Sequence, residues 1–516
     1  MPSRSRLAEA FVLAAILSAF WLVRWPFRDT VLIRDEGEYA YIGQRILLGD
    51  VPYRDVYNQK TPFAFYAMAA GQALVGPSVA ELRAFGSAYG LLSTSAVWAL
   101  ARAAFGPLGA AAAAASFAAL VFDQAGIVHQ QSTEYFMLLW LALGVLAWDR
   151  AHRPERPRRA ACAGALAALA CLTKQSGAAL LLFYAADALW RRRREGRAGL
   201  AGAGLAFAAA LAGFAAVFAL VAAYFAAEGA LAQFVEAAWL HIGGYVGGHY
   251  EAIGLRTQLA GIADFIGRDA GFWAAGSLGL LHAARSRTGA ASGGWLLLLV
   301  LLAAAIAPGG NSRHYLLPVV LPLALGMAAL AQALPQQNGA IRAGFALALL
   351  LPWLGPLAYG YRLLHPGLAD PPARLLRPFD RAEAIGRALA ARTAPGEPVL
   401  IVGSEPQIYY FAERPAATRL VHLYTATGPY RSAPSLRAEF MRDLTEERPR
   451  YVLLVNVVSS LTEFPDRLGL FLLPVLEVLR RDYAVEERWE GPGQDVAVLG
   501  LGQAEFVLWR LREATR

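Results

Sequence analysis

Three carboxylates fall within four positions, at Asp35, Glu36 and Glu38, in the segment "VLIRDEGEYAYIGQRILLGDVPYRDVYNQKTPFAFY" that covers residues 31–66. The same segment sets Lys60 shortly before Pro62 and a run of aromatic side chains. A positioned carboxylate can act as a general base, taking a proton from an attacking hydroxyl or amine. A fixed ammonium can neutralise charge that builds on a leaving group. Adjacent acids such as Asp35 and Glu36 also suit a divalent cation. Acids in the first turn of a helix have a plainer use, because they satisfy free backbone amides and the helix dipole. Glu38 fits that capping role, which leaves the Asp35–Glu36 pair as the candidate for chemistry.

The chain that must position these groups has 516 residues, of which 57% are apolar and only 17% charged. A soluble domain of that size needs a more charged surface. The net charge is +8, from 47 Lys+Arg against 39 Asp+Glu. The arginines sit in short clusters between apolar runs, a pattern of membrane topology rather than of nucleic-acid binding. Cys162 and Cys171 share one apolar run and read as small packing residues, not as a disulfide or metal pair. The first apolar run ends in Phe, Trp and Arg rather than at a small-residue cleavage site, so it reads as a retained span.

Apolar segments near 7–25, 83–104, 107–123, 133–149, 160–173, 176–190, 199–226, 270–284, 293–308, 314–334 and 340–361 are expected to span, about eleven in all. With alternate ends cytoplasmic, that side receives the N-terminus, Arg102, "DRAHRPERPRR", "RRRREGR", "ARSR" and Arg342, as the positive-inside rule requires. The opposite face receives the 26–82 loop, "DQAGIVHQQST", the 227–269 loop, "PGGNSRH" and the C-terminal tail. The 26–82 loop carries Arg28, Arg34, Arg45, Arg54 and Lys60 against the rule, but long loops cross largely regardless of charge.

Within that loop, Tyr39, Ile42, Gly43, Ile46 and Leu47 recur at helical spacing, which predicts an amphipathic helix on the membrane surface ended by Gly49, Asp50 and Pro52. "PFAFYAMAAGQALVG" is too short to span comfortably. Asp35 and Glu36 stand where the first span hands over to the loop. Carboxylates beside lipid are costly to desolvate, and ionisable groups in such places are functional candidates. Burial in a dry site tunes an acid's proton affinity upward, which suits a base. After about residue 365, short apolar strands alternate with helices, which predicts a small α/β domain with a partly parallel sheet. The expected division is a membrane module over 1–364 and an extracytoplasmic α/β domain over 365–516. "IVGSEP" lacks a dinucleotide-binding fingerprint.

The segment "RDEGEYAYIGQRILLGDVPYRDVYNQKTPFAFY" resembles the first external loop of the lipid-phosphate-dependent glycosyltransferases of GT-C fold, the relatives of protein O-mannosyltransferases and lipid A aminoarabinose transferases. Asp35 and Glu36 match that family's acidic pair after the first span, and Lys60, Pro62 and Tyr66 match its downstream element. Thr61 stands where the family usually has a proline. "CLTKQSGAALL" and "NSRHYLLPVVLPLAL" extend the resemblance over roughly residues 7 to 335.

The resemblance implies transfer of a sugar from a polyprenyl-phosphate donor to an envelope glycan, lipid or protein acceptor at the external face of a plasma (inner) membrane. In that reading Asp35 is the general base, Glu36 positions it, and Lys60 neutralises the leaving phosphate, with Arg313 and Lys174 the next cations. The plainer reading of all three cations is contact with lipid headgroups. Glu134 is a further acid, with His129 nearby, although Ser132, Thr133 and Glu134 also suit helix capping. Tyr315 faces the phosphate or, with His314, anchors a span. His241, His249 and Glu251 match no standard metal spacing and read as part of a flexible glycine-rich loop. No cofactor is required, and a divalent cation at Asp35–Glu36 stays open. The rival reading is a polytopic lipid transporter or flippase without transfer activity, which predicts inverted repeats and midplane charges that the sequence does not display. A membrane scaffold would show no dependence on Asp35.

Overall fold

The computed structural model describes residues 4–124, 131–151, 156–195, 199–286, 293–307, 313–334, 338–364, 378–491, 497–498 and 500–513. Its helices run α1 (Arg4–Arg24), α2 (Arg34–Leu47), α3 (Phe63–Val75), α4 (Val79–Gln124), α5 (Thr133–Ala151), α6 (Pro157–Thr173), α7 (Ala179–Glu195) and α8 (Gly199–Ala227). There follow α9 (Leu231–Val235), α10 (His241–Arg268), α11 (Ala270–Ser286), α12 (Gly294–Ile306), α13 (Val320–Ala333), α14 (Gly339–Ala348) and α15 (Leu351–Leu364). The last six are α16 (Ala382–Ala390), α17 (Gln407–Ala412), α18 (Tyr424–Thr427), α19 (Ala433–Glu446), α20 (Val458–Leu461) and α21 (Gly469–Asp482).

Two compact units divide the chain. One comprises Met1–Thr30, Ser78–Tyr224 and Ile253–Pro371; the other comprises Val31–Pro77, Phe225–Ala252 and Pro372–Arg516. The units do not follow chain order, so residues 31–77 group with the C-terminal region rather than with the helices on either side of them.

The first unit is helical. Among the described residues, four stretches are long and apolar enough to cross a bilayer: Ser5–Phe27, Val79–Val121, Ala203–Ala227 and His314–Ala333. α4 packs on α1, α5 and α13, α5 packs on α6, and α11 packs on α13. α4 holds two of the expected spans, which meet at Gly106 with φ +73 and ψ −171 before Pro107. Only glycine takes that backbone conformation without strain, and proline suits the first turn that follows. The buried Asp187 carboxylate is paired: it accepts from Trp148 Nε1 at 2.9 Å and from Arg191 Nε at 2.9 Å.

The second unit carries a four-stranded sheet in the order β1 (Leu400–Val402), β2 (Tyr451–Val455), β4 (Ala504–Leu511), β3 (Tyr483–Glu490). β1 and β2 pair in parallel, with Ile401 opposite Leu453, while β4 runs antiparallel to both β2 and β3. β2 is buried at every position, whereas edge strand β3 alternates and turns Glu486, Arg488 and Glu490 outward, which blunts edge-to-edge pairing.

Two expectations change. The 227–269 segment is not a flexible loop, because most of it forms α10. Glycine costs about 1 kcal/mol per residue relative to alanine in a helix but leaves the hydrogen-bond ladder intact, so context overrides it. α2 does not present one apolar stripe: Glu36 to Gly43 are all buried, and the helix packs on both α3 and α17. Its approach to α17 needs Gly37, where a Cβ would lie 2.4 Å from Gln407 Cβ and 2.9 Å from its Cα. Arg34, at the start of α2, donates to Ser404 O at 2.6 Å, to Tyr424 Oη at 2.5 Å and to Glu405 Oε1 at 2.7 Å. Tyr41 Oη accepts from Ala416 N at 2.9 Å. We expect Gly37→Ala to destabilise this unit by about 1–3 kcal/mol through overpacking, read as a lower melting temperature. Gly204→Ala, on α8 with open space around it, should leave the melting temperature unchanged or raise it.

Candidate active site

Residues three apart on a helix share a face, and α2 begins at Arg34, so Asp35 and Glu38 point one way while Glu36 points another. Glu36 is fully buried, and its Oε2 accepts from Ile33 N at 3.4 Å, capping the first turn. Asp35 Oδ1 lies 3.0 Å from Lys60 Nζ, and Glu38 Oε2 lies 3.6 Å from the same ammonium. The expected assignment is therefore exchanged: Glu36 caps, and Glu38 joins Asp35 at Lys60.

Lys60 is held from its backbone outward. Its N–H donates to Asn58 Oδ1 at 2.8 Å, and its carbonyl accepts from Tyr53 Oη at 2.8 Å. Tyr53 has φ +73, unusual for a non-glycine residue, and its buried ring packs on Phe225 and Phe234 at 5.4 and 5.2 Å. The Tyr39 ring centroid lies 4.8 Å from Lys60 Nζ. Burial alone would lower the proton affinity of that ammonium, but Asp35, Tyr39 and Glu38 outweigh it and hold Lys60 well above the usual lysine range. Thr61, in place of a proline, is fully buried. Tyr66 lies in the first turn of α3, half-buried.

Exposure grades this site. The side chains of Asp35 and Lys60 are 23% and 19% exposed, whereas that of Glu38 is sealed. The sealed carboxylate is thus Glu38, while Asp35 keeps contact with solvent. Glu38 has a further partner, His422, whose Nδ1 lies 3.4 Å from Glu38 Oε1. Nothing in "LVHLY" around His422 marks it as a site residue; only the pairing of distant segments reveals it.

The other unit contains a second cluster, complete in itself. Glu134 is buried, ion-pairs through Oε1 with Lys174 Nζ, and accepts from Thr133 Oγ1 at 3.0 Å. His314 Nε2 stands 4.0 Å from the same carboxylate, and Lys174 Nζ lies 3.8 Å over the Tyr315 ring. Capping of α5 falls to Ser132, whose Oγ accepts from Tyr135 N at 3.3 Å, so Glu134 is spared for Lys174. Arg313 opens a 3-10 turn over Arg313–Val319. The side chains of Arg313, His249 and Glu251, and the whole of His129, lie outside the described residues.

His241 Nδ1 lies 2.7 Å from Ser432 Oγ, with the rings of Tyr57 and Tyr430 against it. Burial pushes its pKa down to about 4, so it is neutral at pH 7. Among the described residues no three His, Cys, Asp or Glu side chains converge as a metal site. Breaking one side of the Glu134–Lys174 pair strands a buried charge, so Lys174→Met should cost about 3–5 kcal/mol. Adding Glu134→Gln should restore part of that loss in thermal melts, and additive losses would show that the pair is not coupled.

Residues 59–220 match the family model described as dolichyl-phosphate-mannose-protein mannosyltransferase, a stretch that begins one residue before Lys60. A comparison of the sequence with curated proteins finds no match. The chain is similar to the crystal structure of ArnT from Cupriavidus metallidurans bound to undecaprenyl phosphate, with 18% identity, a TM-score of 0.62 and 98% of each chain covered. It is also similar to the archaeal oligosaccharyltransferase AglB from Archaeoglobus fulgidus in complex with an inhibitory peptide and a dolichol-phosphate. There the identity is 14% and the TM-score 0.54, over 94% of this chain and 73% of that one. Identities this low carry the fold and not the activity. The chain has a polytopic helical membrane fold, that of the GT-C glycosyltransferases, and over residues 59–220 it resembles the protein mannosyltransferases among them.

Proposed function

We propose that the protein is a membrane glycosyltransferase that moves a sugar from a polyprenyl-phosphate donor to an acceptor hydroxyl or amine at the external face of the membrane. The observation that carries this reading is the partly exposed Asp35–Lys60 contact at 3.0 Å, held on a rigid, doubly packed helix. It supplies a proton acceptor and a fixed cation within one site, the two groups that glycosyl transfer from a phosphate uses once the donor separates them.

The bond that breaks joins the anomeric carbon to a phosphate oxygen. The bonding pair leaves with the phosphate, and Lys60 neutralises the charge that gathers there. The acceptor oxygen or nitrogen attacks the anomeric carbon from the opposite face, inverting its configuration, and its proton passes to Asp35. In the absence of donor, Lys60 neutralises Asp35. A bound phosphate competes for that ammonium and frees Asp35 to serve as the base. Lys174 is already neutralised by Glu134, so the phosphate is assigned to Lys60. A monophosphate leaving group can be served by one ammonium, and Glu36 is occupied with the helix amide, so no divalent ion is assigned to the acidic pair. The arginine clusters support a cytoplasmic N-terminus and an extracytoplasmic C-terminal region. The similarity to ArnT bound to undecaprenyl phosphate supports a lipid-phosphate donor.

Transport without transfer needs no base, which separates the two readings. Purified protein given labelled polyprenyl-phosphate sugar and envelope acceptors should transfer label. Asp35→Asn should lower the rate by about 10²–10⁴-fold, the usual worth of a general base. Lys60→Ala should lower it by about 10²-fold or more, the worth of one group that stabilises developing charge. Asp35→Asn protein transferring at the wild-type rate would sink the assignment.

A further inference from the structure

Glu38 is the carboxylate that sugar transfer leaves without a task. It is fully buried, and among the described residues neither of its oxygens has a hydrogen bond; the same is true of both ring nitrogens of His422. One resident cation compensates the Glu38 charge, Lys60 Nζ at 3.6 Å, while His422 Nδ1 lies 3.4 Å from Glu38 Oε1 and becomes a cation only on taking a proton. A carboxylate sealed from water stays ionised only while a cation stands beside it, and otherwise takes a proton.

Lys60 therefore serves two acids of different character. If a phosphate draws the ammonium away, Asp35 can turn to water, because its side chain is 23% exposed. Glu38, with no exposure, cannot. The groups that titrate around it are Asp35 and Tyr39 on α2, Lys60, and His422 with Tyr424 beyond it, the two rings 4.7 Å apart. Arg34, the nearest further cation on α2, is committed to Glu405 and Tyr424. Among the described residues, His422 alone touches Glu38 and can carry a new positive charge.

We propose that Glu38 and His422 form a proton-accepting pair that takes one proton from solvent when a lipid phosphate engages Lys60. The proton is shared between Glu38 Oε1 and His422 Nδ1, and no other bond forms or breaks. The pair gains one positive charge as Lys60 turns outward, so the sealed carboxylate is never left alone and Asp35 remains ionised for the acceptor. His422 is thus a positioning residue: it acts on the phosphate through Glu38 and Lys60. The inference deepens the proposed function and rests on Lys60 as the phosphate ligand.

Proton counting tests it. Undecaprenyl phosphate in detergent micelles is titrated calorimetrically into the full-length protein at pH 8, in two buffers of different ionisation enthalpy. The difference in heat gives the protons taken up per phosphate bound. About one is expected for the wild type by charge balance. The count should fall towards zero in Glu38→Gln, where no buried charge needs compensation, and should drop in His422→Gln, with melting temperatures reported for both variants. The wild-type count needs no variant to fold, so a wild-type value of zero overturns the proposal outright. A count unchanged in both folded variants overturns it as well. Binding that is unaffected by Lys60→Ala would instead remove the phosphate reading, and this inference with it.

Discussion

One ammonium divided between two carboxylates is the constraint on which this site depends. Lys60 faces Asp35 at 3.0 Å and Glu38 at 3.6 Å, and both acids come from the first turns of one helix. That arrangement fails if α2 slips by a residue, because a rotation of about 100° would carry one acid off the shared face. The surroundings oppose such a slip. Arg34 ties the start of α2 to Ser404, Glu405 and Tyr424; Gly37 admits α17 at close range; Tyr41 caps the amide of Ala416. Tyr53 and Asn58 fix the Lys60 backbone from the other side. Rigid positioning of this kind is what a fixed-charge site requires, since donors and bases that must reorganise during reaction lose much of their effect.

The two charged clusters differ in a way that matters for chemistry. Glu134 and Lys174 form a tight pair whose carboxylate is almost wholly buried, with His314 and Tyr315 around it. Separating them strands charge in an apolar interior. Asp35 and Lys60 are each about one-fifth exposed, so water or a ligand can take the place of either partner at small cost. The first cluster is built to stay closed and the second is open to exchange, which is why Lys60 rather than Lys174 is assigned to the phosphate.

Much of this was legible in the sequence, and the failures have physical causes. The acidic run, Lys60 before a proline and the apolar helices are local features, and local features survive reading. The helix-then-strand alternation after residue 380 recurs in α19–β2 and α21–β3. The exchange of Glu36 and Glu38 traces to a helix boundary. The helical spacing that starts at Tyr39 places Glu38 at the helix entrance, whereas the helix begins at Arg34, and Glu36 reaches back to Ile33. Boundaries are the least readable part of a helix, and here the boundary decides which acid shares a face with Asp35 and meets Lys60. His422 was beyond reach, because its meaning comes only from packing with Glu38 far along the chain. The burial of α2 on both faces is likewise a tertiary fact, since Tyr39, Ile42 and Ile46 at helical spacing mark one apolar face and say nothing of what covers the other.

On binding donor, Lys60 is expected to exchange Asp35 for a lipid phosphate. A cryo-EM structure of the full chain with undecaprenyl phosphate bound tests this most directly. Lys60 Nζ should lie within about 3 Å of a phosphate oxygen, as in charge-assisted hydrogen bonds, with the Asp35 carboxylate turned away and open to an acceptor. A phosphate seated elsewhere, with the Asp35–Lys60 contact unchanged, would contradict it.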